Sequence, residues 1–438
     1  MKLFKALFSF IALLAVTSLM AQQARIDNLR PYDQEGVNEF EYLKKDSLDF
    51  EGVKVRLGGN FAQQFQALDH SNTLMDVDGD GQFDNELYNL EPGFNLATAN
   101  LNIDVELAKG VRLNLVTYLS SRHHPEAWVK GGFIQVDDLS FLNSDFADKL
   151  MENITIRAGH MEINYGDAHF RRTDNGNAMY NPFVGNYIVD AFNTEIGGEV
   201  YYQKEGWIAM LGITGGEING NITAPNTSEV DENSNRAPSI IGKIGYDSQV
   251  ADNVRLRVTG SAYHTASSAV NHLYSGDRGG SRYYLVMSPP GVGAGDRGIF
   301  SSGRYSPGFM DEVTAFMGNA FVKAGGFEFF GTYEMSSGRN WFEPEKRNMT
   351  QVAADVLYRF GKNEDFYIGG RYNTVNADVS SDASVTINRY QIGGGWFVID
   401  NILLKAEYVN QEYLDFAPGS LLSDGNFSGL MIEAVVGF

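Results

Sequence analysis

The chain has 438 residues, with 34 Lys or Arg against 55 Asp or Glu, a formal charge of −21. So acidic a balance argues against nucleic acid as a partner. The absence of cysteine excludes disulfides and thiolate metal sites, and argues against a lipid-anchored N-terminal cysteine.

In chain order, residues 1–21 read as a secretory signal peptide. Lys2 and Lys5 precede an apolar run from Leu7 to Val16 that is too short for a comfortable transmembrane helix. Ala21 suits the residue before a cut, whereas Leu19 is a poor fit two positions earlier. No later stretch reaches about 18 apolar residues, so no spanning helix is expected after the signal. Residues 22–52 are polar and have no clear period.

From residue 53 onward the pattern changes. Runs with one apolar face, alternating every second residue, cover 53–68, 94–107, 111–120, 130–140, 153–160, 196–204, 206–217, 238–248, 253–266, 312–324, 326–336, 350–360, 365–376, 386–399, 401–413 and 426–438. A period of two is that of a strand. The last run, GLMIEAVVGF, puts Leu430, Ile432, Ala434, Val436 and Phe438 on one face and Glu433 on the other. Sixteen runs make an even number, as in bacterial single-chain membrane barrels.

Connections 108–110, 204–206, 249–252, 325–326, 361–365 and 400–401 are short, and most of those between them are long. This parity predicts an all-β fold, a 16-stranded antiparallel transmembrane β-barrel with short periplasmic turns and long extracellular loops. The barrel covers 53–438, and 22–52 is then an N-terminal periplasmic segment. One short-side connection, 141–152, is long enough for a helical turn. Abundant glycine (48) and aromatic residues (29 Phe, 22 Tyr, 4 Trp) suit barrel strands and interfacial girdles. Closure satisfies the backbone in lipid, where an open edge cannot exist.

The same alternation assigns lumen positions. Arg56, Arg112, Arg157, Arg255 and Arg257 point inward, as do Lys54, Asn60, Gln64, Asn100, Asn102, Asp104, Glu106 and Asn114. Later strands add Glu328, Glu334, Asp355, Arg359, Arg371, Arg389, Lys405 and Glu407. Sixteen strands leave an aqueous channel, so these charges are expected to line water. Two readings stand: they merely solvate the wall, or they set a transverse field that favours polar or zwitterionic solutes.

Two loops stand out. The 161–195 loop carries Asp167, His169, Arg171, Arg172, Asp174 and Asp190; loops of this length are usually functional or disordered. The turn DVDGDGQFDNEL, 76–87, places Asp76, Asp78, Asp80, Gln82 and Asp84 around Gly81. It resembles an EF-hand calcium loop, but Leu87 replaces the bidentate Glu. A structural calcium ion and an Asp/Gly-rich turn are both open readings, and no other cofactor is implied. No enzyme is expected: the seven histidines, including His123–His124, show no HExxH spacing. Ser267 and Ser268 near His264 lack a G-x-S-x-G elbow.

With these elements in place the chain resembles a Gram-negative outer-membrane porin. ENITIRAGHMEINYGDAHFRR, running into the long loop, is similar to the phosphate-selective porin O and P type, and RPYDQEGVNEFE resembles porin-like proteins of the Bacteroidetes group. The resemblance implies a 16-stranded barrel, often a homotrimer, in outer-membrane lipid, admitting small polar or ionic solutes by passive diffusion. Because general porins fold the loop after strand five into the barrel, it also makes 161–195 the predicted constriction. Phosphate selectivity in that type rests on a dense basic ladder. Here the arginines are interspersed with acids, so phosphate selectivity does not carry over. The competing expectation is a non-conducting barrel acting as a structural or adhesin-like surface protein. About 22 strands and a plug, as in a TonB-dependent transporter, do not fit this length.

Overall fold

A computed structural model describes residues 24–42, 44, 49–119, 128–216, 236–274, 279–292 and 297–438. The signal peptide and His123–His124 lie outside the described residues. Strands follow in the order β1 (Lys54–Ser71), β2 (Gly93–Phe94), β3 (Thr98–Ala108), β4 (Val111–Leu119), β5 (Trp128–Val136) and β6 (Ile154–Glu162). Next come β7 (Thr194–Lys204), β8 (Trp207–Thr214), β9 (Ser239–Ala251), β10 (Val254–Thr265), β11 (Glu312–Ala324) and β12 (Phe327–Arg339). The last are β13 (Arg347–Phe360), β14 (Phe366–Asp378), β15 (Ser384–Ile399), β16 (Ile402–Leu414) and β17 (Asn426–Gly437).

From β3 to β17 each strand pairs antiparallel with its neighbours in sequence. The ring closes because β1 pairs with β3 over Lys54–Ala62 and with β17 over Asn60–Ser71. The two-residue β2 meets Phe65 and Gln66 of β1, so it is a detached start of the β3 stave. The barrel therefore has sixteen staves plus this fragment. At the seam the Phe438 N–H donates to the Gly59 carbonyl, and the Gly59 N–H donates back to Phe438, both at 3.0 Å. The connection between β5 and β6 holds a helix, Asp145–Met151, whose N-terminus is capped by the Ser144 hydroxyl accepting from the Ala147 N–H.

Burial alternates along the staves as a period of two requires. In β17, Phe427, Met431, Glu433 and Val435 are buried, while Leu430, Ile432 and Val436 face outward, as does Phe438 just beyond it. Outward apolar residues such as Leu57, Leu211, Ile244 and Ile392 are exposed, a surface that suits lipid better than water. Near the periplasmic rim Tyr358, Phe360, Phe366 and Trp396 stack at 5.6–6.4 Å between ring centres, as in an interfacial aromatic girdle. Fold and outer surface are those of an outer-membrane barrel.

The interior departs from expectation. Instead of a water-lined wall, much of the lumen is packed. Val313, Ala315, Met317, Val375, Ile387, Val409 and Met431 from the wall join one apolar cluster with Tyr165, Val184, Ile188, Leu273 and Tyr283 from the loops after β6 and β10. Inward apolar positions on the extracellular half of the staves thus bury against inserted loops, which removes both surfaces from water.

Candidate lumen site

Among the described residues, three segments enter the barrel: the N-terminal segment, the β6–β7 loop and the β10–β11 loop. Irregular backbone at membrane depth needs internal partners, and the wall supplies them. Glu407 accepts from the Val184 and Gly185 N–H groups at 2.7 and 3.2 Å. Asn373 accepts from Ile188 at 2.7 Å and Gln351 from Val189 at 3.0 Å. In the other direction, Lys405 donates to the Ala178 and Phe183 carbonyls at 2.8 and 3.0 Å, and Arg371 to Gly185 at 2.9 Å. The inward polar residues are therefore loop anchors as much as wall charges.

Ion pairs complete the anchoring. Arg257 and Lys243 on β10 and β9 meet Asp167 of the β6–β7 loop at 2.7 and 2.6 Å. The same two cations meet Glu41 of the N-terminal segment at 2.6 and 2.7 Å. Burial alone would raise the Glu41 carboxyl; the charges of Arg257 and Lys243 outweigh it and hold it at about 2. Asp167 is held lower still by the same two cations against its own burial. Elsewhere in the N-terminal segment, Asn38 donates to Glu328 at 2.6 Å and Tyr32 to Asp104 at 2.9 Å. From the β10–β11 loop, Arg282 pairs with Glu433 at 2.7 Å and Tyr283 donates to Glu407 at 2.7 Å.

The residues singled out from sequence do not form one ring. Arg171 joins Glu328 at 2.7 Å and Asn38. Arg172 clasps Asp190 through two bonds of 2.7 and 2.6 Å, and Asp174 pairs with Lys130. His169 lies between Glu162 and Asn164. On the wall, Arg56 pairs with Asp104, Arg112 with Asp137 and Arg255 with Asp247, at 2.7, 2.8 and 2.8 Å. Arg157 donates to Gln135 at 2.8 Å. Arg112 and Arg257 are buried, which corrects the expectation that the inward arginines line water. Arg112 sits between Asp137 and Glu106, and Arg257 among Asp167, Glu41 and Asp247.

A cavity of about 230 Å³ remains between the β3–β7 wall and the inserted segments. Arg30, Lys130, Arg157 and Arg172 line it against Asp104, Glu162 and Asp174, with Phe40, Phe133, Phe170, Tyr180 and Tyr201 between them. Sequence reading missed Arg30, Glu41, Lys130, Glu162 and Lys243. Lys130 was within reach, since it alternates with the outward Val129. Arg30 and Glu41 were not, because the N-terminal segment carries no period.

Outside the barrel, Asp76, Asp78 and Asp84 bring carboxylate oxygens within 4.8 Å of one another in the exposed β1–β2 loop. Asp80 and Gln82 are not in that group; Asp80 accepts from the Gln82 N–H at 2.8 Å. Asp76 accepts from Gly79 and Gly81, so the turn's own hydrogen bonds also gather these carboxylates.

No protein-family model matches the chain, and no curated protein does either. Solved structures do. The anion-selective porin of Comamonas acidovorans superimposes with a TM-score of 0.52 at 10% identity, covering 88% of this chain and 100% of that one. Outer-membrane expressed OmpT of Vibrio cholerae gives 0.50 at 10%, covering 90% and 100%. The trimer form of in-vitro folded OmpT gives 0.50 at 11%, covering 89% and 100%. At such low identity the likeness is one of fold: a 16-stave outer-membrane barrel.

Proposed function

We propose that the protein is an outer-membrane channel through which small polar or charged solutes diffuse passively. The observation that carries this reading is the lumen cavity, which keeps charges of both signs beside open space inside the barrel. Two further spaces, about 490 and 410 Å³, lie among the N-terminal segment and the periplasmic ends of the staves. Phe40 borders both the lumen cavity and the larger of these, so its buried ring stands between them and, in this reading, is the point that a passing solute must clear. In this reading the β6–β7 loop is the constriction, and its charged pairs filter by size and charge. Anion selectivity is a property of the Comamonas porin; here the balanced ion pairs do not support a phosphate ladder. Assembly as a homotrimer belongs to the same proposal, supported by the trimer form of OmpT.

The test is single-channel conductance of the refolded protein in a planar bilayer under a salt gradient. Small, stable open steps are expected, because the inserted segments leave a narrow route. A heat-modifiable, folded barrel that never conducts would overturn the channel and favour a structural or surface-binding barrel.

A further inference from the structure

Of the arginines on the strands, only Arg157 and Arg389 among the described residues have no carboxylate at ion-pair distance. Arg389 is saturated otherwise, donating to Gln411 and to the Asn186 and Gly303 carbonyls. Arg157 is not: its Nε donates to Gln135 at 2.8 Å, and its guanidinium lies 5.0 Å from the Phe133 ring centre and 5.4 Å from that of Tyr201. Arg30, from the N-terminal segment, is in the same condition. Its Nε and Nη1 donate to the Gly36 and Phe170 carbonyls at 2.9 and 3.0 Å. Its guanidinium stacks 3.6 Å above the centre of the Tyr180 ring, and its Nη2 is buried without a partner. Both arginines line the lumen cavity, as does Asn102, whose buried Nδ2 also lacks an acceptor.

We infer that this cavity is a binding site for a small monocarboxylate with an aromatic or apolar body. Its meaning for transport rests on the channel proposed above, but the site itself is tested separately. Buried donors left without partners are costly; Arg30 Nη2 and Asn102 Nδ2 are such donors, and Arg157 lines the same cavity with no carboxylate at ion-pair distance, so an entering carboxylate meets donors that are still free to bind it. A planar carboxylate matches a guanidinium edge held flat by stacking on aromatic rings. The rings of Phe133, Phe170, Tyr180 and Tyr201 suit an apolar body better than a bare inorganic anion. Glu162, with 39% of its side chain open, lines the same space and disfavours a second negative charge on the ligand. The volume, about 230 Å³, is below the ~300–1,000 Å³ of drug-sized pockets, which suits a ligand the size of benzoate.

The experiment is calorimetric titration of the refolded full chain in detergent with benzoate, benzylamine and inorganic phosphate. It is repeated on Arg157→Gln and Arg30→Gln, each checked for a heat-modifiable fold. Benzoate is expected to bind saturably and benzylamine not to, and each variant to weaken benzoate at least tenfold, with Arg157→Lys intermediate. Benzoate binding no tighter than benzylamine or phosphate would overturn the site, as would unchanged binding in the variants. The ligand comparison needs no substitution, and the two arginines lie on different elements, so a misfolded variant leaves the question decidable. Binding without bilayer conductance retains the site and removes the channel; conductance without benzoate binding does the reverse.

Discussion

At the scale of single residues, the lumen is organised around shared ions. Asp167 and Glu41 divide the charge of Arg257 and Lys243 between two segments that are far apart in the chain. Removing one member leaves a buried charge unanswered, which costs about 3–5 kcal/mol. Asp167→Asn is therefore expected to lower stability by about that amount in reversible urea unfolding in micelles. Asp78→Asn in the exposed β1–β2 loop should shift the midpoint little. Equal midpoints for the two variants would mean that the network does not hold the loop. Arg257 was readable from strand alternation alone, but its partners were not. Asp167 lies 90 residues away in sequence, and only the fold brings it within a hydrogen bond.

At the scale of elements, the N-terminal segment is the least expected feature. It carries no strand or helix pattern, yet Ile26, Leu29 and Phe40 are buried and Glu41 is tied to the wall. The Glu41 carboxyl is held near 2 in place and returns to its ordinary 4.5 when released. A depressed carboxyl stabilises the docked form fully above about pH 4.5, and that contribution fades as pH falls towards about 2. Deleting residues 24–44 should open the periplasmic mouth and raise single-channel conductance. Acidification of the intact protein from pH 5 to pH 2 should move its conductance towards that of the deletion. Identical conductance for intact and deleted protein would show that the segment does not limit passage. The β6–β7 loop differs in kind: its length and charge marked it in the sequence, although the backbone bonds to Glu407, Asn373 and Gln351 did not.

At the scale of the whole molecule, closure decides stability in lipid, because a sheet without edges leaves no backbone group unpaired. The seam depends on β1 reaching β17 and β3 at once, and Phe438 makes its last backbone pair with Gly59. Removing Phe438 is expected to lower the fraction of heat-modifiable barrel recovered on refolding and the yield in isolated outer membranes. Full recovery would place the decisive seam contacts earlier in β17. The outer face needs nothing further from the interior, which is free to hold loops, a cavity and fixed charges.

The sequence by itself determined the number and order of the staves, their inward and outward faces, and the alternation of short turns with long loops. Those signals are local: side chains change sides every residue along a strand, and turn residues interrupt the pattern where the chain reverses. Only the tertiary structure decided that the lumen is packed, which loops enter it, and which cations remain without a carboxylate. Charge pairing depends on which side chains closure brings within a few ångströms. Among the described residues, Arg30 and Arg157 stand out only once the fold shows that the other inward arginines meet carboxylates or, for Arg389, Gln411 and two carbonyls.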